Sequence, residues 1–184
     1  MITPQYLALS PEAIKVLEGN GCWSRSWSKV KVTKGFDPTR IAGTIFRGEV
    51  RIGNLDGDFV PKDEIRRYAG IFDANLHNVV IGDNCHISNI NGWLSNLVIE
   101  NNVLMENVGS IVCQGETSFG NGHPIEVLNE GGGRELKITA MTSAQTAYLS
   151  TMYRHDTDLI KALDQIADDY ASSVRSNRAT IGEG

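Results

Sequence analysis

Large apolar residues recur at every sixth position through the middle of the chain. They are Ile81, Ile87, Trp93, Ile99, Met105 and Ile111. An amphipathic helix would space its apolar residues three or four apart, and a half-buried strand would alternate them with polar residues. The sixfold spacing instead predicts short strands joined by sharp corners, stacked so that these apolar side chains fill an interior.

Asparagine occurs in every interval between these apolar positions from residue 81 to residue 110. The five residues are Asn84, Asn89, Asn96, Asn101 and Asn107. Asparagine tolerates left-handed backbone conformations, and its side chain can form turns. A chain that bends after each short strand needs such residues, so the asparagines support the predicted corners independently of the apolar spacing.

The pattern divides the chain into four parts. They are an N-terminal helix and strands over 1–44, stacked β coils over 45–142 with a glycine-rich excursion at 117–142, a helical hairpin over 143–176, and a resumed coil over 177–184. The resumed coil is predicted because ATIGEG at 179–184 repeats the aliphatic-Gly-acidic turn of IGDN at 81–84. We therefore expect this chain to be the N-terminal part of a longer protein.

Helix boundaries are indicated by capping residues. Ser10 is expected to cap the first helix, with Pro11 at its first position and Gly19-Asn20 at its end. Ser143 and Asp156 are expected to cap the two helices of the hairpin. Between 117 and 142, IEVLN and RELKIT flank three consecutive glycines and predict two short strands joined by a loop.

Composition excludes several function classes. The formal net charge is −5 and the sequence contains no Lys/Arg cluster, so we expect no nucleic-acid partner. No apolar run is long enough to cross a bilayer, so we expect no membrane partner. Cys22, Cys85 and Cys113 are odd in number and widely spaced, which argues against a disulfide framework and a zinc site and favours reduced thiols in the cytoplasm.

The hexapeptide pattern carries a family resemblance. IGDNCH at 81–86 has an aliphatic residue, glycine and polar turn residues in order, and IGNLDG at 52–57 and IGEG at 181–184 match it in part. This pattern resembles the hexapeptide-repeat superfamily of bacterial acyltransferases and sugar-nucleotide enzymes. The resemblance implies a mainly β fold, a single-stranded left-handed parallel β-helix with a short N-terminal helix and an inserted or C-terminal helical hairpin.

A second resemblance covers most of the chain. FGNG at 119–122, EVLNEGGGRE at 126–135 and YRH at 153–155 are similar to an uncharacterised bacterial family labelled only as hexapeptide-repeat or transferase proteins. It implies a transferase acting on a small polar substrate, either an activated sugar or an acyl acceptor. Acetyl-CoA or a nucleotide sugar would be the co-substrate. Because members of the superfamily often form trimers, the resemblance also implies a homotrimer.

Histidine is the expected general base because its ordinary pKa lies near the operating pH of most enzymes. His123, in GNGHPIE beside the glycine-rich excursion, is the predicted catalytic residue. His77 and His86 are interpreted as solvent-exposed turn residues. None of these histidines matches a known acyltransferase motif, so the resemblance transfers no catalytic role.

The predicted substrate-binding residues surround the three glycines and the start of the last helix. They are Glu126, Asn129, Glu130, Arg134, Arg154 and His155. Three consecutive glycines suggest unusual backbone angles or the close approach of another group. Carboxylates and an arginine could bind a sugar or an anion there. No metal-ligand motif is found, so no metal site is predicted.

Two alternatives remain open on the sequence. The charged residues could be a solvated hairpin tip, with Arg154 pairing to acidic hairpin residues in a purely structural role. The whole chain could equally be a non-catalytic structural or ligand-binding segment of a larger protein, whose helical insertion mediates assembly.

Overall fold

The chain folds into two compact units. The computed structural model describes residues 5–59, 65–127 and 131–182. The described residues within Met1–Gln114 and Arg178–Gly184 form the first unit, and those within Gly115–Asn177 form the second.

The helices begin where the sequence predicts. The described residues contain α1 (Pro11–Gly19), α2 (Ala144–Met152) and α3 (Thr157–Val174), with 3-10 turns at Trp27–Lys29 and Pro38–Arg40. Ser10, Ser143 and Asp156 each accept a hydrogen bond from a backbone N–H of the first turn, so the three predicted caps are confirmed. Among the described residues, no helix combines the length and apolar composition that crossing a membrane requires.

Most of the remaining regular structure is short strands. In the described part of the chain these are β1 (Leu7–Ala8), β2 (Trp23–Ser24), β3 (Val30–Val32), β4 (Ile41–Ala42), β5 (Ile45–Arg47), β6 (Val50–Ile52), β7 (Asp58–Phe59), β8 (Arg67–Tyr68), β9 (Gly70–Phe72), β10 (Asn75–Ile81), β11 (His86–Ile90), β12 (Leu94–Ile99), β13 (Leu104–Val108), β14 (Ile111–Val112), β15 (His123–Glu126), β16 (Glu135–Ile138) and β17 (Ala179–Ile181).

The strands form four sheets. The largest has the order β1-β3-β6-β10-β12-β14, with β17 also paired to β12, and β5 joining β10 to β2. All of its pairs are parallel except β1 with β3. A second, parallel sheet has the order β13-β11-β9-β4, and β7/β8 and β15/β16 are antiparallel pairs.

The predicted fold class is wrong. The chain is not a mainly β protein wound as one left-handed parallel β-helix: it is a mixed α/β structure with three α-helices, parallel sheets and antiparallel pairs among its described residues. The predicted class was taken from the sixfold repeat, which is confined to the middle of the chain, although the sequence also predicts two strands and two helices after it. Gly115–Asn177 forms a separate unit from two helices and an antiparallel strand pair, which a six-residue period cannot produce.

Within the repeat region, β10 with β12 and β11 with β13 pair at the same separation in the sequence, whereas the β12–β14 pair is one residue shorter. Leu76 is the register partner of Leu94, and His86 that of Leu104, so both pairs of strands are offset by 18 residues. Glycine permits this close stacking at the IGD turn: a Cβ on Gly82 would lie 2.7 Å from the backbone carbonyl carbon of Glu100. Three intervals of six therefore separate stacked positions.

Asparagine supplies the corners of this stack. The predicted Asn84, Asn89, Asn96 and Asn107 have φ between 53° and 57°, whereas Asn101 does not and its neighbour Asn102 does. L-residues other than glycine rarely adopt this left-handed region, and asparagine is the main exception. The prediction is confirmed at four of its five positions, and it is one residue out at the fifth.

The core follows the sixfold pattern at four of its six positions. Ile81, Ile87, Ile99 and Met105 are buried, while Trp93 and Ile111 are only partly buried. Leu94 occupies the interior instead of Trp93, because the β10–β12 register places it beside Leu76, which is also fully buried. The three cysteines form no disulfide within the described residues and are buried, so the predicted inward packing of Cys85 and Cys113 is confirmed.

Replacing Asn96 tests the corner. Asn96 has φ 55°, donates from Nδ2 to the Cys113 carbonyl at 2.8 Å, and accepts from Asn78 Nδ2 at 3.2 Å. We expect Asn96→Ala to lower the free energy of unfolding by about 2–3 kcal/mol, because it adds left-handed strain to lost hydrogen bonds. Asn96→Gly, which relieves the strain, should lose only about 1 kcal/mol. Urea denaturation measures both values. Asn101→Ala is the control, because it removes an asparagine side chain at a position without left-handed φ. Equal losses for the two Asn96 variants would contradict the explanation.

Burial of Cys85 predicts a pH dependence of stability. Burial raises the pKa of the Cys85 thiol from its ordinary value to about 11. The unfolded chain therefore ionises this thiol at lower pH than the folded chain, and stability is lost as pH rises from about 9 to 11. We expect a loss of roughly 2–3 kcal/mol attributable to Cys85. Denaturation of wild type and Cys85→Ala across this range isolates the contribution, and parallel curves would contradict it.

Candidate functional site

One row of register partners crosses four adjacent strands of the large sheet. It consists of Arg47, His77, Ser95 and Val112 on β5, β10, β12 and β14. The residues just before the first three, Phe46, Leu76 and Leu94, are fully buried. Successive side chains of a strand point to opposite faces, so the row lies on the outer face of the sheet.

Two adjoining cavities lie over this row. The first has a volume of about 660 Å³ and is lined by Trp23, Ser24, Arg25, Lys29, Arg47 and His77, among others. The second has a volume of about 330 Å³ and is lined by Arg47, His77, Trp93, Ser95 and Val112. Because they share Arg47 and His77, we treat the two cavities together and call them the cleft.

His77 is held by one ring nitrogen and open at the other. Its Nδ1 lies 2.8 Å from the hydroxyl of Ser95, which is only 7% exposed. Its Nε2 has no hydrogen-bond partner among the described residues. Thr33 Oγ1 is the sole fully buried side-chain N or O atom among them that lacks a partner, so Nε2 is not fully buried. Nε2 is therefore accessible to solvent, and it can exchange a proton with a ligand in the cleft.

His86 is engaged at both nitrogens. Nδ1 donates to the Tyr68 carbonyl at 2.6 Å, and Nε2 lies 3.1 Å from Ser88 Oγ and 3.4 Å from a Glu106 carboxylate oxygen. The residue is only 8% exposed. This arrangement serves structure, since no ring nitrogen is left for a substrate.

The interpretation of His77 and His86 as exposed turn residues is wrong. His77 lies within β10 and His86 begins β11. The left-handed corners belong to the asparagines instead, at Asn78, Asn84 and Asn89. A histidine beside such a corner remains in extended backbone, where its side chain faces a neighbouring strand.

The cleft is cationic. Arg25, Lys29 and Arg47 line it, and among the described residues no aspartate or glutamate does. None of these three cations forms an ion pair within the described residues. The Arg47 guanidinium lies 4.9 Å from the centre of the Trp93 ring, and this cation–π contact orients it. An anionic ligand would therefore find positive charge without a competing carboxylate.

The hairpin separates its predicted site residues. His123 is paired with Ile138, and Glu126 with Glu135, at opposite ends of the β15–β16 pair. His123 and Glu126 are three residues apart on one extended strand, which places their side chains on opposite faces. Asn129 and Glu130 lie outside the described residues, and Arg134 is exposed.

Arg154 ties the helical segment to the hairpin. Its Nη2 donates to the Glu135 carbonyl at 3.1 Å and lies 3.7 Å from a Glu135 carboxylate oxygen. The Gly133 N–H donates to the same carboxylate at 2.8 Å and lowers the pKa of Glu135. The predicted pairing of Arg154 with an acidic hairpin residue is thus present, and Gly132 and Gly133 have the predicted unusual φ values of 74° and 91°. His155 stacks near Tyr153, with ring centres 5.7 Å apart, and is exposed.

Sequence reasoning missed the cleft, although part of its signal was present. Three intervals of six make 18, which is the separation of His77 and Ser95 in the chain. Stacking by 18 would have predicted their contact. Arg47 and His77 are instead separated by 30 residues, because the polar segment 56–70 interrupts the repeat, so the period alone could not align them.

In the described residues no group of three His, Cys, Asp or Glu side chains could hold a metal ion.

Comparison with known proteins identifies a family without a known activity. The family model described as "Domain of unknown function (DUF4954)" matches residues 6–184. The chain belongs to the DUF4954 family. A curated relative of this DUF4954 chain, named "Uncharacterized protein", is found in Treponema pallidum (strain Nichols) and is 26% identical, with 94% of this chain and 25% of the relative covered. The chain thus spans about a quarter of that relative's length, and no solved structure matches it significantly.

The contrast between the two histidines predicts selective chemical modification. Diethyl pyrocarbonate acylates an unprotonated, accessible ring nitrogen, which His77 offers and His86 does not. We expect His77 to be modified at least tenfold faster than His86 in the folded protein, and the two rates to converge in urea. Peptide mass spectrometry measures each rate, with exposed His155 as a reference. Equal rates for His77 and His86 in the folded chain would contradict the assignment.

Proposed function

We propose that this DUF4954 chain is a transferase that acts on a small polar substrate in the cleft, with His77 as its general base. The observation that carries the proposal is the fixed imidazole with an accessible Nε2 inside a cavity of about 660 Å³. General-base catalysis requires a base within hydrogen-bond reach of the proton it removes, and a cavity of this size admits a small substrate.

The proposed step uses the neutral imidazole with Nδ1–H donating to Ser95 Oγ. Nε2 removes a proton from a hydroxyl or amine of the acceptor while that oxygen or nitrogen forms a bond to the electrophilic carbon of the donor. The donor's leaving group departs with its bonding electron pair and takes up the proton from the imidazolium. A positioned base of this kind contributes about 10²–10⁴-fold to the rate.

The wider setting of this proposal comes from the sequence. The hexapeptide motifs of the repeat region favour acetyl-CoA or a nucleotide sugar as donor and a homotrimer as assembly, by analogy. Three cysteines that form no disulfide in the described part of the chain support a reducing compartment, and we infer the cytoplasm. The transferase centre proposed from the sequence moves from His123 to His77, because β15 carries His123 on the face opposite Glu126.

A non-catalytic ligand-binding role is the second candidate. It is favoured by the three cations of the cleft, which form no ion pair within the part of the chain that the structure describes and suffice to hold an anion without any reaction. The two candidates differ in whether His77 is needed for turnover or only borders the ligand.

The deciding experiment combines binding and turnover. Ligands that raise the thermal midpoint are first selected from a panel of acetyl-CoA and nucleotide sugars, since native-state binding stabilises the fold. Donor consumption is then measured with a panel of sugar and amine acceptors. We expect His77→Asn to lose about 10²–10⁴-fold in kcat yet keep the ligand-induced shift, with His155→Asn unchanged. Turnover by His77→Asn at the wild-type rate would exclude the mechanism, and binding without turnover by wild type would favour the second candidate.

A further inference from the structure

We infer that the cleft recognises a ligand that carries both a phosphate or pyrophosphate group and a planar ring, the chemistry of a nucleoside diphosphate. The inference rests on the proposed function in one respect: it takes this ligand as the donor substrate held beside His77. The binding site itself is argued from charges, an exposed aromatic ring and the cavity.

The charge arrangement points to a phosphate. Arg25, Lys29 and Arg47 line the larger cavity, and its lining within residues 5–59, 65–127 and 131–182 contains no carboxylate, although the chain as a whole carries a net charge of −5. Arginine presents a planar fork of donors that matches phosphate oxygens two at a time, and lysine adds a point charge. Three cations gathered on an acidic chain are explained by an anion with more than one charge.

The cations approach the cavity from separate elements. Arg25 and Lys29 belong to the segment between β2 and β3, which includes the 3-10 turn Trp27–Lys29, whereas Arg47 ends β5. Trp93 holds Arg47 from the side of the second cavity, so the guanidinium is oriented before a ligand arrives. Ser24 and Ser26 also line the larger cavity; the Ser24 hydroxyl accepts from the Ser26 N–H and keeps its own O–H as a donor suited to a phosphate oxygen.

An aromatic ring completes the recognition. Trp23 lines the same cavity as the three cations, and it remains 50% exposed. A half-exposed tryptophan in a cavity offers a flat surface on which a ring can stack, as aromatic side chains do with nucleobases. The volume of about 660 Å³ has room for a ring and a diphosphate together. Phosphate alone would not account for the tryptophan, and an uncharged ring would not account for the cations.

Titration of the whole chain tests the inference. ADP and UDP, the corresponding nucleosides, inorganic pyrophosphate and citrate are each added while heat and tryptophan fluorescence are recorded. We expect at least one nucleoside diphosphate to quench fluorescence and to bind at least tenfold more tightly than its nucleoside, pyrophosphate or citrate. Raising the salt concentration should weaken the binding.

Matched variants assign the binding to the cleft. Arg25→Gln combined with Lys29→Gln should weaken nucleoside diphosphate binding at least tenfold, whereas Lys15→Gln combined with Lys34→Gln, which removes the same charge elsewhere, should leave it unchanged. Trp23→Leu should weaken the nucleoside diphosphate and leave pyrophosphate unaffected. Arg47→Gln serves as a second cation variant, with its thermal midpoint checked because Arg47 contacts Trp93.

The outcomes separate this inference from the proposed transferase. Absence of nucleoside diphosphate binding, equal binding of citrate, or equal losses in the two double variants would overturn the inference. His77→Asn should lose turnover while its affinity for the nucleoside diphosphate falls far less than that of the Arg25→Gln and Lys29→Gln double variant, and this pattern supports both statements. Tight binding in a chain without turnover would leave this inference standing while removing the transferase. Turnover of donors that lack phosphate would overturn this inference and leave the transferase standing.

Discussion

The pairing of β10 with β12 is the interaction on which the rest of the first unit depends. Five residue pairs join the two strands in parallel, and the same strands pair with β5, β6, β14 and β17 on their other edges. Each of the two bends at an asparagine in the left-handed conformation, Asn78 and Asn96, and the side chains of these asparagines are hydrogen-bonded to each other. The bend lets each strand pair with two different strands along one edge: β10 with β5 and β6, and β12 with β14 and β17.

This constraint also builds the cleft. Register partners in a parallel pair point to the same face of the sheet. Leu76 and Leu94 therefore both face the interior, while His77 and Ser95 both lie on the outer face. A shift of one residue would bury the imidazole and expose the leucines, which the loss of apolar burial makes unfavourable. The contact between His77 and Ser95 is therefore enforced by the same packing that holds the core together.

The sequence predicts local features of this fold better than its class. Helix caps at Ser10, Ser143 and Asp156 follow from short-range chemistry and are found as expected, as are four of the five asparagine corners. The fold class is not, because a period measured over about thirty residues contains no information on Gly115–Asn177. The slip at Trp93 has a similar origin: Trp93 and Leu94 are adjacent apolar residues, and only pairing with Leu76 decides which one is buried.

The candidate site shows the same limit in chemical terms. His77 and His86 are nine residues apart, each lies in a strand of a parallel sheet, and each has a serine hydroxyl within hydrogen-bond distance of a ring nitrogen. What distinguishes them is the end of the segment that interrupts the repeat, where the Tyr68 carbonyl accepts a hydrogen bond from His86 and Arg67 pairs with Glu106, which also lies beside His86. Over His77 the corresponding space is the cleft, bordered by cations and tryptophan. One histidine is thereby committed to structure and the other is left with a free nitrogen, and this difference arises from a contact that no local pattern around either residue encodes.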